Sequence, residues 1–266
     1  MCKERSVSYL NELGYTVVRL PSEDIRPLQV FYKPNGGLKR LGPISDFVVE
    51  QNGVPEISRD NTVSDVAGLR TDNFELGTGL KFLEKFLSLI GASGVGLEAS
   101  FKDAGFLQFV YKNVVKDYVF PTEIGKYLGR VTPNVNSPFI DCINEDGEAY
   151  IITEILKSNA FGVIAYDKNG VELSLDISTL KQLLSVTPKI KVSKEGENVI
   201  SFEGDEFLCF AFKAIVLWIN IENGKAKFRL RVPSGPVPPI KALATTFIET
   251  NEPTYVVFPN TLVRLK

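Results

Sequence analysis

The longest apolar run in this chain, Phe207 to Ile221, is interrupted by Lys213 and Asn220. It falls short of the roughly 20 apolar residues that a membrane-spanning helix needs. Apolar on both faces and followed by a turn, it reads instead as a central strand of a sheet. Any passage of this chain through a bilayer must therefore be made by strands.

The neighbouring segments supply partners for such a strand. Ile190/Val192 and Val199 to Phe202 read as a hairpin around Glu195-Gly196-Glu197. Asn223-Gly224 turns the long strand back into Ala226, Phe228, Leu230 and Val232. Further upstream, Tyr15 to Leu20, ended by Pro21, and Leu28 to Tyr32, followed by Pro34-Asn35-Gly36-Gly37, have strand character. Val95, Leu97, Ala99 and Phe101 alternate with Gly96, Glu98, Ser100 and Lys102, and Leu107, Phe109 and Tyr111 continue at period two. Ala149 to Leu156 and Phe161 to Tyr166 are two more strand candidates, and Asn169-Gly170 makes a hairpin turn into Val171, Leu173, Leu175 and Ile177.

Helical spacing is confined to a few places. Leu80, Leu83, Phe86, Leu87 and Ile90 predict a helix over 79–90 that Gly91 closes. Shorter helices are predicted over 6–13 and 177–184, whereas 50–73 is polar and reads as a loop. No βαβ regularity or internal repeat is visible. The predicted class is α+β, a twisted, mainly antiparallel central sheet with surrounding helices.

After Arg231 the composition changes. Val232 to Pro239 holds four prolines, a serine and a glycine, the composition of an extended exposed linker. The division expected is a body of residues 1–231, a linker of 232–243 and a tail of 244–266. The tail is too short for a core of its own, but Val256-Val257-Phe258, Leu262, Val263 and Leu265 favour docking on the body.

Composition removes several functions. The chain has no histidine among its 266 residues. Ser-His-Asp and Cys-His catalysis and most catalytic zinc sites go with it, so an enzyme is not expected. The three cysteines, Cys2, Cys142 and Cys209, are too few and scattered for a disulfide framework or a metal site. A net charge of −2 gives no general attraction to nucleic acid, and no phosphate-binding glycine motif is present. No cofactor and no metal are expected.

Three features remain. Cys2 follows Met1 directly, so removal of the methionine leaves a terminal thiol beside Lys3 and Arg5. From position alone it is an incidental residue, a nucleophile or a site of S-acylation; N-myristoylation is excluded because residue 2 is not glycine. No apolar signal region follows, so a secreted lipoprotein is not expected. Lys225, Lys227, Arg229 and Arg231 line one face of one strand. They are either a solvated edge or a contact for anionic lipid headgroups, with Lys33, Lys39 and Arg40 as weaker candidates of the same kind. The alternating segments at 95–111 and 149–177 suit ordinary half-buried sheet, and equally the strands of a β-pore.

Residues 1–2 (Met-Cys), Glu12 to Phe31 (ELGYTVVRLPSEDIRPLQVF), Leu38 to Val48 (LKRLGPISDFV) and Gly79 to Gly91 (GLKFLEKFLSLIG) together resemble the bacterial gasdermins. The resemblance is strong over about the first 90 residues and continues as matching length and strand order to about 230. It implies a monomeric, autoinhibited, cytoplasmic pore-former whose short C-terminal tail is removed by a caspase-like or other protease. The freed body then enters the inner membrane, assembles into large β-barrel pores and kills the infected cell as an antiphage defence. The resemblance also implies palmitoylation of Cys2, the acyl chain resting in a hydrophobic pocket before activation, and membrane insertion of about 62–120 and about 149–203. Lys241 and Leu243, just after the prolines, are the candidate cleavage positions. The alternative is a soluble α+β binding or adaptor module whose tail is simply part of the fold.

Overall fold

The computed structural model describes residues 10, 13–33, 38–50, 53–63, 74–89, 97–143, 149–175, 178, 191–195 and 198–231. Two long antiparallel strands form its spine: β8 (Ala149–Tyr166) and β10 (Val199–Glu222). They run side by side from the Val199–Ile164 pair to the Leu217–Ala149 pair. The outer edge of β8 takes β6 (Phe106–Lys112), β7 (Val115–Tyr118) and β2 (Gln29–Tyr32), one after another along its length. The outer edge of β10 takes β9 (Lys191–Glu195), β1 (Thr16–Ser22) and β11 (Lys225–Arg231). β3 (Lys39–Pro43), β4 (Ser58–Thr62) and β5 (Phe74–Glu75) extend the sheet from β2, β7 and β6. All of these pairings are antiparallel, as the α+β class requires.

The register slips between the Glu203–Ala160 and Leu208–Ser158 pairs, then at Phe210 and again at Thr153. Extra residues of this kind bend and twist a ladder. They divide the sheet into two ends, each with its own core. At one end, α1 (Leu76–Leu89) lays Leu80, Phe82, Leu83, Phe86 and Leu87 on β6 and β8. The Phe82 and Phe109 rings lie 4.3 Å apart at a tilt of 45°, and Phe82 and Phe86 both meet Phe161 edge to face. Each such fully buried ring contributes roughly 1.5–3 kcal/mol. Gly79 lets the helix approach: a Cβ there would lie 2.9 Å from that of Leu107. At the other end, α3 (Pro121–Leu128) packs Ile124, Tyr127 and Leu128 with Phe47, Ile215 and Phe228. A third cluster, with Val18, Phe31, Ile152 and Phe212, covers the opposite face.

Several expectations are corrected. Residues 97–100 form a short helix, α2 (Leu97–Ser100), not a strand. Leu97 and Phe101, four residues apart, are both buried, and the Phe101 N–H donates to the Leu97 carbonyl at 3.1 Å; helical contact overrides the apparent alternation. The 50–73 loop contains β4, a polar edge strand with a slipped register, so no hydrophobic pattern marks it. β1 runs through Pro21 to Ser22, and the slip between Val17 and Ser22 accommodates a residue lacking an N–H. The paired candidates at 149–156 and 161–166 are one strand, β8. Among the described residues the segment after Gly170 forms no strand; it makes the isolated bridge Tyr166–Glu172, the turn being closed by Asp167 accepting from the Asn169 and Val171 N–H groups at 2.8 Å. The helices predicted over 6–13 and 177–184 lie outside the described residues apart from Leu10, which is buried, Leu13, which lies in a turn, and Ser178, and the linker and tail lie outside them altogether.

Candidate functional site

The β10–β11 hairpin ends in Asn223-Gly224, where positive φ at both residues (51° and 74°) supplies the tight turn predicted for this dipeptide. The hairpin puts Lys225 opposite Glu222, Lys227 opposite Asn220 and Arg229 opposite Trp218, all on one face. Lys225, Lys227 and Arg229 are exposed; the alternate residues Ala226, Phe228 and Leu230 turn inward toward α3. Glu222 Oε1 accepts a close hydrogen bond from Arg229 Nη2, and its Oε2 lies 3.2 Å from the Lys227 ammonium. Hydrogen bonding from Arg229, then from Asn220 and Lys227, brings its carboxyl down to about 2.

A second charged cluster occupies the middle of the sheet, where the register slips and the two cores meet. Glu154 on β8 is buried and faces Lys213 of β10 at 3.8 Å and Lys116 of β7 at 4.0 Å; the Tyr15 hydroxyl also donates to it. The Lys213 ammonium sits 4.2 Å over the Tyr15 ring. Three residues along β8, Lys157 bridges Asp117 at 2.8 Å and Asp60 at 2.9 Å, while the Asp60 N–H donates to Asp117 at 2.9 Å. These contacts tie β4, β7, β10 and Tyr15, the residue before β1, to β8 through polar groups. A cleft of about 170 Å³ lined by Lys116, Tyr118, Phe120 and Glu154 opens beside the cluster. Sequence reasoning missed Glu154 and met Lys213 only as a break in an apolar run; the signal was a charge inside each of two apolar runs that face each other across one strand pair.

The sequence candidates fall in three places. Cys2, Lys241 and Leu243 lie outside the described residues, as does the side chain of Arg231. Lys225, Lys227 and Arg229 share the hairpin face. Lys39 and Arg40 are exposed on β3, where Arg40 reaches the Asp24 carboxylate at 3.8 Å, and Lys33 is half-buried just after β2. β11 and β3 flank the same end of the sheet with β10, β8 and β2 between them. At a spacing near 4.8 Å that separates the two basic sets by roughly 19 Å. They are two surfaces, not one patch. Burial pushes the thiols of Cys142 and Cys209 up, so neither is an activated thiolate. Among the described residues no cluster suited to a metal ion forms, and no helix is long and apolar enough to cross a membrane.

Two central strands of unusual length, sealed by helices on one face and carrying charges at their midpoint, define a β-rich α+β protein of the gasdermin fold. A solved bacterial gasdermin from Bradyrhizobium tropiciagri shares that fold, with a TM-score of 0.60 over 85% of this chain and 91% of its own, at 14% identity. The family model described as the Bacterial Gasdermin Family matches residues 18–225. The chain is 30% identical over 227 residues to a gasdermin of Vitiosangium, covering 85% of this chain and 84% of the relative. A gasdermin of a Desulfuromonadales bacterium is also 30% identical, with 84% of each chain covered. This chain belongs to the bacterial gasdermin family, a pore-forming and non-enzymatic family.

Proposed function

We propose that this protein is an autoinhibited pore-former that rests in the cytoplasm as a monomer and is activated by proteolysis. Removal of residues 244–266, after a cut near Lys241 or Leu243 by a caspase-like or other protease, releases the body. The body then enters the inner membrane as strands, assembles into a ring with copies of itself and kills the cell, as in a defence against phage. The observation that carries this reading is the family match, which spans 18–225 and leaves the proline-rich segment and tail outside it. The strand lengths support it as well. β8 has 18 residues and β10 has 24, and a strand crosses a bilayer in about 9–11.

Palmitoylation of Cys2 is part of the same proposal. A palmitoyl chain offers roughly 0.8 kcal/mol per buried CH₂, enough to bias the body toward lipid once the tail is gone. The basic residues of β11, with Lys33, Lys39 and Arg40, are the surfaces offered to anionic headgroups. A docked tail needs only a few kcal/mol to hold most molecules closed.

Truncation after Leu243 tests the reading. The truncated chain is expected to be toxic in cells and to release dye from liposomes, and Cys2→Ala in that background to reduce toxicity. A truncated chain that stays soluble and harmless sinks the proposal, and one that merely unfolds favours a binding module with a structural tail. Intact-mass measurement of the full-length protein, with Cys2→Ala as control, checks the acyl group.

A further inference from the structure

The tip of the β10–β11 hairpin is built unlike the rest of the surface. Its cations project from one face, and a single carboxylate, Glu222, is gripped by Arg229 and Lys227 while Asn220 donates to the same oxygen as Arg229 at 3.1 Å. The two cationic side chains remain 43% and 53% exposed despite this contact. Beside Glu222, Ile221 is 78% exposed, more than any other large apolar side chain among the described residues. A guanidinium and an ammonium converging on two oxygens of one negative charge form a receptor for an oxyanion. Glu222 fills it from within the same hairpin.

We propose that Glu222 is an intramolecular stand-in for an anionic lipid headgroup. At an anionic membrane Lys227 and Arg229 exchange Glu222 for lipid phosphates, and Ile221 enters the interfacial layer. This rests on the membrane reading above and adds to it the docking surface and the group that masks it. Three cations stand against one carboxylate, so the tip keeps a positive excess even when masked and is drawn to a negative surface. The exchange is easy because exposed ion pairs contribute little and lose little when repartnered. The Lys157–Asp117 pair, with the Asp117 side chain 3% exposed, has no such freedom. Ile221 leaves the opposite face from the cations, but at the end of a hairpin a surface met tip-first touches both.

The full-length chain, sedimented with phosphatidylcholine vesicles made with or without phosphatidylglycerol, tests the proposal. Binding is expected with the anionic vesicles and not with the neutral ones. Lys227→Gln and Arg229→Gln should each lower the partition coefficient about fivefold, one near-surface cation's worth. Ile221→Ser should lower it about tenfold, which separates a lipid surface from capture of free phosphate. Glu222→Gln should raise it, and by more than Glu206→Gln, which makes the same change of net charge at an exposed position far along β10. Equal effects of the two glutamate changes, or equal binding to both kinds of vesicle, overturn the proposal. Sedimentation of the intact chain and dye leakage by the truncated chain fail independently. Loss of leakage alone removes the pore, and loss of anionic binding alone removes this surface.

Discussion

Glu154 in the middle of β8 and Glu222 at the end of β10 are each faced by two cations, but the environments are opposite. Glu154 is buried, and its nearest ammonium groups stand 3.8 and 4.0 Å away. Glu222 is a third exposed, and Lys227 approaches to 3.2 Å with Arg229 closer still. The cations thus come closer to Glu222 than to Glu154, at a surface where water competes for every partner and a pair contributes little. Around Glu154 the ammonium groups stand further off, yet in the sheet removing a partner strands a charge that has little water to turn to. The interior cluster fastens strands together; the one at the tip is free to change partners.

The largest effect should come from the interior. Lys157→Met leaves the buried Asp117 carboxylate without its ammonium partner, held by the Asp60 N–H, and the expected cost is about 3–5 kcal/mol. Urea unfolding measures it, and Lys157→Met combined with Asp117→Leu should recover much of the loss. A cost no larger than that of an exposed pair would remove the distinction between the two clusters. Next in size is Tyr15→Phe, which deletes a hydroxyl that donates to buried Glu154 while keeping the ring under Lys213. The expected loss is about 1–3 kcal/mol in the same measurement.

At the tip the backbone matters more than the charges. Gly224 has φ +74° with open space around the position of a Cβ, so Gly224→Ala meets no clash but holds a side chain in the left-handed region. About 1 kcal/mol is the expected cost. Asn223-Gly224 was legible because a two-residue turn writes its backbone requirement into residue type. Leu107, Phe109 and Tyr111 were legible because one face of β6 is buried and the next residue of each pair is not. β4 was not, since Ser58–Thr62 is polar on both faces and is held by backbone pairing to β7. The same holds for the partners of Glu154. Lys213 stood out as a break in an apolar run, but its pairing depends on a register with three slips that no local pattern encodes. The family resemblance, by contrast, was carried by residues within the first 91, and the comparison over 18–225 bears it out.

The smallest effect separates the two carboxylates by pH. Arg229, Asn220 and Lys227 hold Glu222 near 2 in the folded chain, against about 4.5 when unfolded. A carboxyl depressed by folding stabilises the fold above its unfolded value and loses that contribution as pH falls toward the folded one. The difference in unfolding midpoint between the natural chain and Glu222→Gln should therefore be constant above about pH 5 and shrink between about 4.5 and 2. Because the group is open to solvent, the plateau should be barely measurable, far below the loss for Lys157→Met. A plateau as large as that loss would mean that Glu222 fastens the hairpin and does not mask it. Glu222→Gln should then weaken attachment to anionic vesicles by loosening the tip, the reverse of the tightening expected from a displaced headgroup mimic.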